Sequence, residues 1–249
     1  MKVAMMQPTF LPWIGYFELI LNSDVFVILD DFQFVHRSYH QKNRLLVSLN
    51  VTDWYTVPVN KKGSFKEKIN KVKIKENNLW REKIWKRLEN NYSKTTYYKT
   101  IESDIKGIIL TPTDNLLEQN MRFINYVLDL LKIKTDIIFS SDIYKTGERS
   151  GLILNILRSL KADEYLCANG SFEYMLEDKI FPVEDVKVLF QNHVPIEYKQ
   201  IRTTKFIPYL SILDALFNVG PDGVKEIING TKKWLEWEDM HKYYLKEGE

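Results

Sequence analysis

The stretch Asp30–Arg44, DDFQFVHRSYHQKNR, holds the densest chemistry in the chain: two adjacent carboxylates, two histidines, two arginines and one lysine. Adjacent residues on an extended segment point opposite ways. Asp30 and Asp31 are therefore not expected to face one ligand together, and a paired-carboxylate mechanism is set aside. Either one can still orient a substrate. His36 and His40 are four apart and would share a helix face, as metal pairs do. No HExxH pattern and no third ligand accompany them, so no metal site is expected. One histidine acting as acid or base fits better, because its ordinary pKa lies near neutrality. His36 is the candidate base, and a surface histidine without a role is the plain alternative. Arg37 and Arg44 can clamp a carboxylate or phosphate through two hydrogen bonds each.

Such residues need a frame. Val3–Met6 and Val25–Leu29 are short continuous apolar runs, the pattern of strands buried on both faces. Between them, Trp13–Leu21 carries Ile14, Phe17, Ile20 and Leu21 at helical spacing, with Pro12 suited to the helix start. Strand, helix and strand within so short a span form a βαβ unit, whose strands are parallel. Leu45–Leu49 and Trp54–Val59 read as a hairpin beside that sheet. Leu79–Tyr92, Tyr98–Leu110 and the stretch from Leu116 to Leu131 read as helices, with Trp80 and Trp85 in the core. A second βαβ pattern follows: a strand at Ile137–Phe139, a helix at Gly151–Leu160, and strands at Glu164–Cys167 and Val186–Phe190. Leu210–Phe217, Gly223–Ile228 and Thr231–Tyr244 read as terminal helices. The pattern predicts one α/β domain over 1–205, with a basic, helix-rich insertion around 61–132. A helical C-terminal extension, 206–249, covers the same domain.

In an open parallel sheet, ligands sit beyond the carboxyl ends of the strands, near the point where strand order reverses. That rule selects Gln7-Pro8-Thr9, Asp30–Phe34, Ser140-Ser141-Asp142 and Ala168–Ser171. Two helix starts could hold anions through free N–H groups. Gly15 lies in the first turn after Pro12, where a side chain would crowd an approaching phosphate. Thr146–Gly151 opens the next helix, and Arg149 there adds a guanidinium to Ser150. Neither matches a P-loop or the dinucleotide fingerprint, and Ser150 taken alone reads as an ordinary helix cap. No nucleophile arrangement stands out, and Cys167 ends an apolar strand, where structural cysteines sit.

The composition, 45% apolar and 27% charged, is that of a globular protein. One cysteine rules out an internal disulfide framework and a cysteine-based zinc site. The opening MKVAMMQPTFLPW lacks the pattern of a secretory leader, and no apolar run is long enough to span a bilayer. A cytoplasmic protein is expected. The net charge is +2, yet Lys61–Lys106 holds 14 Lys/Arg against 6 Asp/Glu. That stretch reads as a solvated helical face or as a surface for phosphates: a nucleotide-linked substrate, a nucleic acid or an anionic membrane.

The run QPTFLPWIGYFELILNSDVFVILDDFQ at Gln7–Gln33 resembles the WbqC-like protein family of bacteria. Asn43-Arg44, ADEYLCANGSFEYM at 162–175, Tyr198-Lys199-Gln200 and FIPYLSILDALFNVG at 206–220 carry the likeness further. The chain departs from it at Cys167-Ala168-Asn169-Gly170, where the family often has Ser-Gly. A fainter resemblance joins the first βαβ unit to pantothenate synthetases and related nucleotidylyltransferase-like enzymes. Gly15 and Gln33-Phe34 match, while Trp13 and Tyr16 replace two histidines that stabilise the triphosphate there.

These resemblances imply a three-layer, Rossmann-like (nucleotidylyltransferase/HUP-like) fold and a place in surface-polysaccharide, including O-antigen, assembly. The implied activity is transfer of glycine or another amino acid onto an amino sugar. Gln7, Gly15, Tyr16, Arg149 and Ser150 would lie near a nucleotide or phosphate. Asp30, Asp31 and His36 would do the chemistry. Arg37, Asn43, Arg44, Asn169, Gly170 and Ser171 would hold substrate. The partners implied are a small-molecule or nucleotide-linked sugar and an activated amino-acid donor. ATP would serve if the acyl group is activated in place as an adenylate. Stable nucleic-acid binding is not expected, and contact with a membrane surface stays open, as does the oligomeric state. A non-catalytic nucleotide- or glycan-binding scaffold is one alternative, and a nucleic-acid-binding protein acting through the basic stretch 61–106 is another.

Overall fold

A computed structural model describes residues 1–60, 66–75, 79–230 and 234–247. The apolar runs form the strands β1 (Lys2–Met6) and β2 (Val25–Ile28), joined by helix α1 (Ile14–Leu21). A hairpin follows, β3 (Lys42–Ser48) and β4 (Val51–Thr56), which makes its own two-stranded sheet. Its turn falls earlier than the polar run Asn50–Asp53 predicts, because Asn50 takes a left-handed backbone (φ 58°) and reverses the chain at once. The helices α2 (Leu79–Tyr92), α3 (Tyr98–Leu110) and α4 (Leu116–Leu130) lead to β5 (Asp136–Phe139). Then come α5 (Arg149–Ser159), β6 (Glu164–Ala168), α6 (Phe172–Asp178) and β7 (Lys187–Gln191). The chain closes with α7 (Ile212–Gly230), β8 (Trp234–Glu236) and α8 (Trp237–Glu247).

Among the described residues, six strands form one sheet in the order β5-β2-β1-β6-β7-β8. All neighbours are parallel except β7 and β8. Strand order therefore reverses between β1 and β6. Alternate residues feed two cores: Ala4, Phe26 and Ile28 face α1, the helical insertion and α7, whereas Val3, Met5 and Val27 face α5, α6 and α8. The protein is thus a mixed α/β structure with helices on both faces of a mostly parallel sheet. Trp80 and Trp85 are buried.

The C-terminal segment differs from the predicted helical cover. Two predicted helices are one element, α7, bent at Gly220 (φ 73°) and Pro221. Within the predicted helix Thr231–Tyr244, Trp234–Glu236 instead pairs antiparallel with β7 and extends the sheet. Three residues are too few to show a strand period, and pairing with the open edge of β7 decides their shape. Residues 231–233 lie outside the described residues. So do Lys61 and Lys62 of the basic stretch. Several of its other cations have internal partners. Arg81 is buried and donates to the carbonyls of Ile109 and Thr113, and Arg87 pairs with Asp53. No helix among the described residues is long and apolar enough to cross a membrane.

Candidate functional site

Because β1, β2, β5 and β6 run parallel, the loops after them share one edge of the sheet. At the reversal between β1 and β6 lies a cavity of about 300 Å³, lined by Gln7, Phe32, Arg149, Tyr165, Ser171 and Tyr174 among others. The Gln7 side chain is held by buried His40. Val35 N–H donates to His40 Nδ1 at 3.2 Å, so the proton sits on Nε2, which donates to Gln7 Oε1 at 2.9 Å. Burial pushes the His40 pKa down to about 4, so the ring is neutral at pH 7. With its oxygen engaged, Gln7 presents its NH2 group as a donor. The same cavity is lined by the tyrosines Tyr165 and Tyr174 and by Ser171.

Phe32 and Arg149 also line a larger, charged cavity of about 760 Å³. Asp31 lies there, with Lys145 Nζ at 2.8 Å and Lys68 Nζ at 3.7 Å from its Oδ2. Burial pushes the Asp31 carboxyl up. Hydrogen bonds from Lys145 and Ser140, with the charges of Lys145 and Lys68, outweigh it and leave the pKa below the ordinary value. Asp30 lines none of the cavities, yet the two carboxylates do not face apart as the alternation rule predicts, because both residues lie in a turn after β2 and not on an extended strand. Asp30 is 3% exposed and accepts from Asn70 Nδ2 at 2.9 Å and Ser141 N–H at 3.0 Å. The Ser140 hydroxyl reaches both carboxylates. Asp30 is a positioning residue that ties the loop after β2 to the loop after β5. A third cavity, about 290 Å³, lies beyond Met6 on the other side of β1.

Both predicted anion seats are filled by the chain itself, which corrects the phosphate roles given to Gly15, Arg149 and Ser150. A Cβ built on Gly15 would lie 2.3 Å from the Trp13 indole, so the space above this glycine holds that ring and no phosphate. The start of α5 holds Asp178. The Ser150 amide and hydroxyl both donate to Asp178 Oδ2, at 3.1 and 2.7 Å, and Arg149 Nε lies 3.0 Å from Oδ1. Arg149 also pairs with Glu177. Tyr16 is fully buried and lines the third cavity.

A model of the WbqC-like protein family covers residues 7–226. The chain belongs to the WbqC-like protein family. It is similar to the uncharacterized protein Rv1507c of Mycobacterium tuberculosis, 33% identical over 223 residues, which are 89% of this chain and 95% of that protein. No solved structure matches it.

Not every residue singled out in this WbqC-like chain reaches a cavity. His36 packs edge-on against Phe34, and neither it, exposed Arg37 nor Arg44 lines any of the three cavities. Asn43 lines the third cavity, but its amide is engaged: Nδ2 donates to the carbonyls of Phe10 and Leu11, and Oδ1 accepts from Arg44 N–H. That bracing holds Leu11 in its left-handed turn (φ 46°) ahead of α1. Of Asn169, Gly170 and Ser171, Ser171 lines the first cavity. Among the described residues, no group of three or more His, Cys, Asp or Glu could hold a metal ion.

Sequence reasoning weighed His40 only as one of a histidine pair, not as the group that holds Gln7, and passed over Tyr165, Tyr174, Lys145 and a buried pair, Glu18 and His193. Glu18 is fully buried and takes hydrogen bonds from Gln191 Nε2 at 2.9 Å and His193 Nδ1 at 2.5 Å. One charged residue in the otherwise apolar helix IGYFELIL was the available signal. Nothing in the local sequence marks Lys145.

Proposed function

We propose that this WbqC-like protein is a transferase of bacterial surface-polysaccharide assembly, attaching an amino acid such as glycine to an amino sugar through an amide bond. We read the strand order as that of a Rossmann-like, nucleotidylyltransferase-type fold, with the active cleft at the reversal between β1 and β6. The observation that carries the reading is the Gln7 amide, held by a neutral His40 in a cavity that also presents tyrosine and serine hydroxyls and, on one wall, Arg149, which pairs with Glu177 and Asp178. With the Arg149 guanidinium engaged by those carboxylates, the uncharged donors and acceptors on aromatic walls suit a hydroxylated ring better than a free phosphate chain. The adjoining cavity carries charge of both signs, Asp31, Asp142 and Glu148 against Lys68, Lys145 and Arg149, and suits the charged part of a substrate.

Neither His40, at about 4, nor Asp31, below its ordinary value, is tuned to take a proton at neutral pH. The protein's part in the reaction is therefore to hold amine and acyl carbon together, which can itself supply a large share of the rate. The two filled anion seats support a donor that arrives already activated, on a carrier or a tRNA, over ATP-dependent activation in place.

The test supplies nucleotide-linked amino sugars with glycine, either free with ATP or as a glycyl thioester or glycyl-tRNA, and looks for the amide by mass spectrometry. Amide from the activated donor, lost in Gln7→Ala, is the expected result. The filled seats equally favour a second reading, a glycan-binding scaffold without catalysis. Saturable sugar binding with no amide from any donor would establish that reading instead.

A further inference from the structure

We infer that the outer face of the β3–β4 hairpin is a docking surface for single-stranded RNA. The hairpin has two unlike faces. Asn43, Leu45 and Tyr55 are buried on one. Lys42, Arg44 and Trp54 point the other way and are only part-buried, with Arg44 directly opposite Trp54 across the ladder. Lys42 Nζ stands 3.9 Å from the centre of the Trp54 ring, which fixes the ammonium without neutralising it. Among the described residues, the side chains of Lys42, Arg44 and exposed Arg37 pair with no carboxylate. None of the three is among the side chains whose unpaired polar atoms are sealed from solvent. Asp53, the one acidic residue of the hairpin strands, is taken by Arg87 of α2.

Two tyrosines bracket these cations. Tyr39 meets Trp54 edge-on at 5.7 Å, and the Arg44 carbonyl accepts from the Ser211 N–H, two residues past Tyr209. Each tyrosine is 50% exposed, and both line the third cavity. Met6 lines that cavity and the first one, so the face leads toward the proposed cleft. Fixed cations without counter-charges call for a polyanion. Half-exposed aromatic rings beside them offer the surface on which the bases of a single strand stack. A duplex keeps its bases stacked on one another and would leave both tyrosines unused.

As the route by which an RNA-borne amino acid arrives, this face rests on the transferase reading; as an RNA surface it stands without it. The test is fluorescence anisotropy on the full chain with a labelled single strand ending in the unpaired CCA of a tRNA. The same strand with abasic residues and vesicles of phosphatidylglycerol serve as controls. We expect the RNA to bind with an affinity that falls as salt rises, the abasic strand to bind more weakly, and the vesicles not to bind. Lys42→Gln and Arg44→Gln should each reduce the slope of log affinity against log salt by about 0.7, the share of one phosphate contact on a single strand. Tyr39→Ala should weaken RNA binding about tenfold and leave the abasic strand unchanged. The abasic strand reads the stacking in the unaltered protein, whatever a variant does to folding. No RNA binding at low salt, a salt slope that ignores both charge changes, an abasic strand bound as tightly as the RNA, or vesicles bound in its place would overturn the docking face. RNA bound with this variant pattern, while no RNA-borne glycine yields amide, would sink the transferase reading alone. Amide formed from limiting glycyl-tRNA at the parent's rate by all three variants would sink the docking face alone.

Discussion

The carboxylate of Asp178 caps α5 at its start, accepting from both the amide and the hydroxyl of Ser150. Those bonds and the Arg149 charge hold the Asp178 pKa below the ordinary carboxylate value. A carboxyl depressed on folding stabilises the native state above its unfolded pKa, and that stability is lost as pH falls through the folded value. Asp178→Ala should therefore lower the melting temperature at pH 7, with the gap from the parent closing in acid. It should also leave the helix start free, so that phosphate raises the melting temperature of the variant more than that of the parent. Equal responses to phosphate would mean that the seat does not open.

Gly15→Ala sets two effects against each other. In a helix, alanine is favoured over glycine by about 1 kcal/mol. Here the new Cβ would lie 2.3 Å from a rigid indole, and forcing an extra carbon into a packed site costs roughly 1–3 kcal/mol. The clash should win, and the variant should be less stable in urea denaturation. In a Trp13→Ala background the same change should become neutral or stabilising. A single variant more stable than the parent would show that the indole yields at little cost.

How legible these features were in the sequence follows from the range of the forces behind them. Val25–Ile28 is apolar at every position because β2 lies between β1 and β5, so an inner strand announces itself. The loops at the sheet edge followed from that topology, and with them Gln7, Asp31 and Ser171. Trp234–Glu236 did not, because only the edge of β7 makes those residues a strand. The predicted anion seats failed for a similar reason. Local sequence shows that a helix start can bind a carboxylate, but not that Asp178 arrives there from 28 residues away. Gly15 was read as room left for a ligand, when it is room left for a neighbouring side chain.

Asp31 depends on Lys145 more than on any other cation. The pair is mostly buried, with side chains 14% and 10% exposed. Replacing Lys145 by methionine leaves the burial that pushes the carboxyl up and removes the nearer of two charges that hold it down. The Asp31 pKa should rise above its value in the parent, as read by carboxyl-carbon NMR titration. Its contribution to stability should then be lost at a higher pH during acidification. An Asp31 titration unmoved by the substitution would show that Ser140 and Lys68 suffice.

His40 should leave the clearest mark on the pH dependence of stability. Its pKa falls from the ordinary 6.5 to about 4 on folding because the ring is buried. Above pH 6.5 neither state is protonated there and its contribution is constant. As the pH falls from 6.5 toward 4, the unfolded chain takes up a proton that the folded one refuses. Stability then drops by about 1.4 kcal/mol per pH unit, or about 3 kcal/mol across the whole window. Burial also pushes the Asp214 carboxyl up, so other groups can titrate nearby. A comparison with His40→Gln subtracts them, because that side chain keeps an N–H for Gln7 and does not titrate. Urea denaturation at several pH values between 7 and 4.5 should show a shallower decline in the variant. Parallel declines would mean that His40 is protonated in the folded state, and a protonated ring would have to break the bond from Val35 that aims its proton at Gln7.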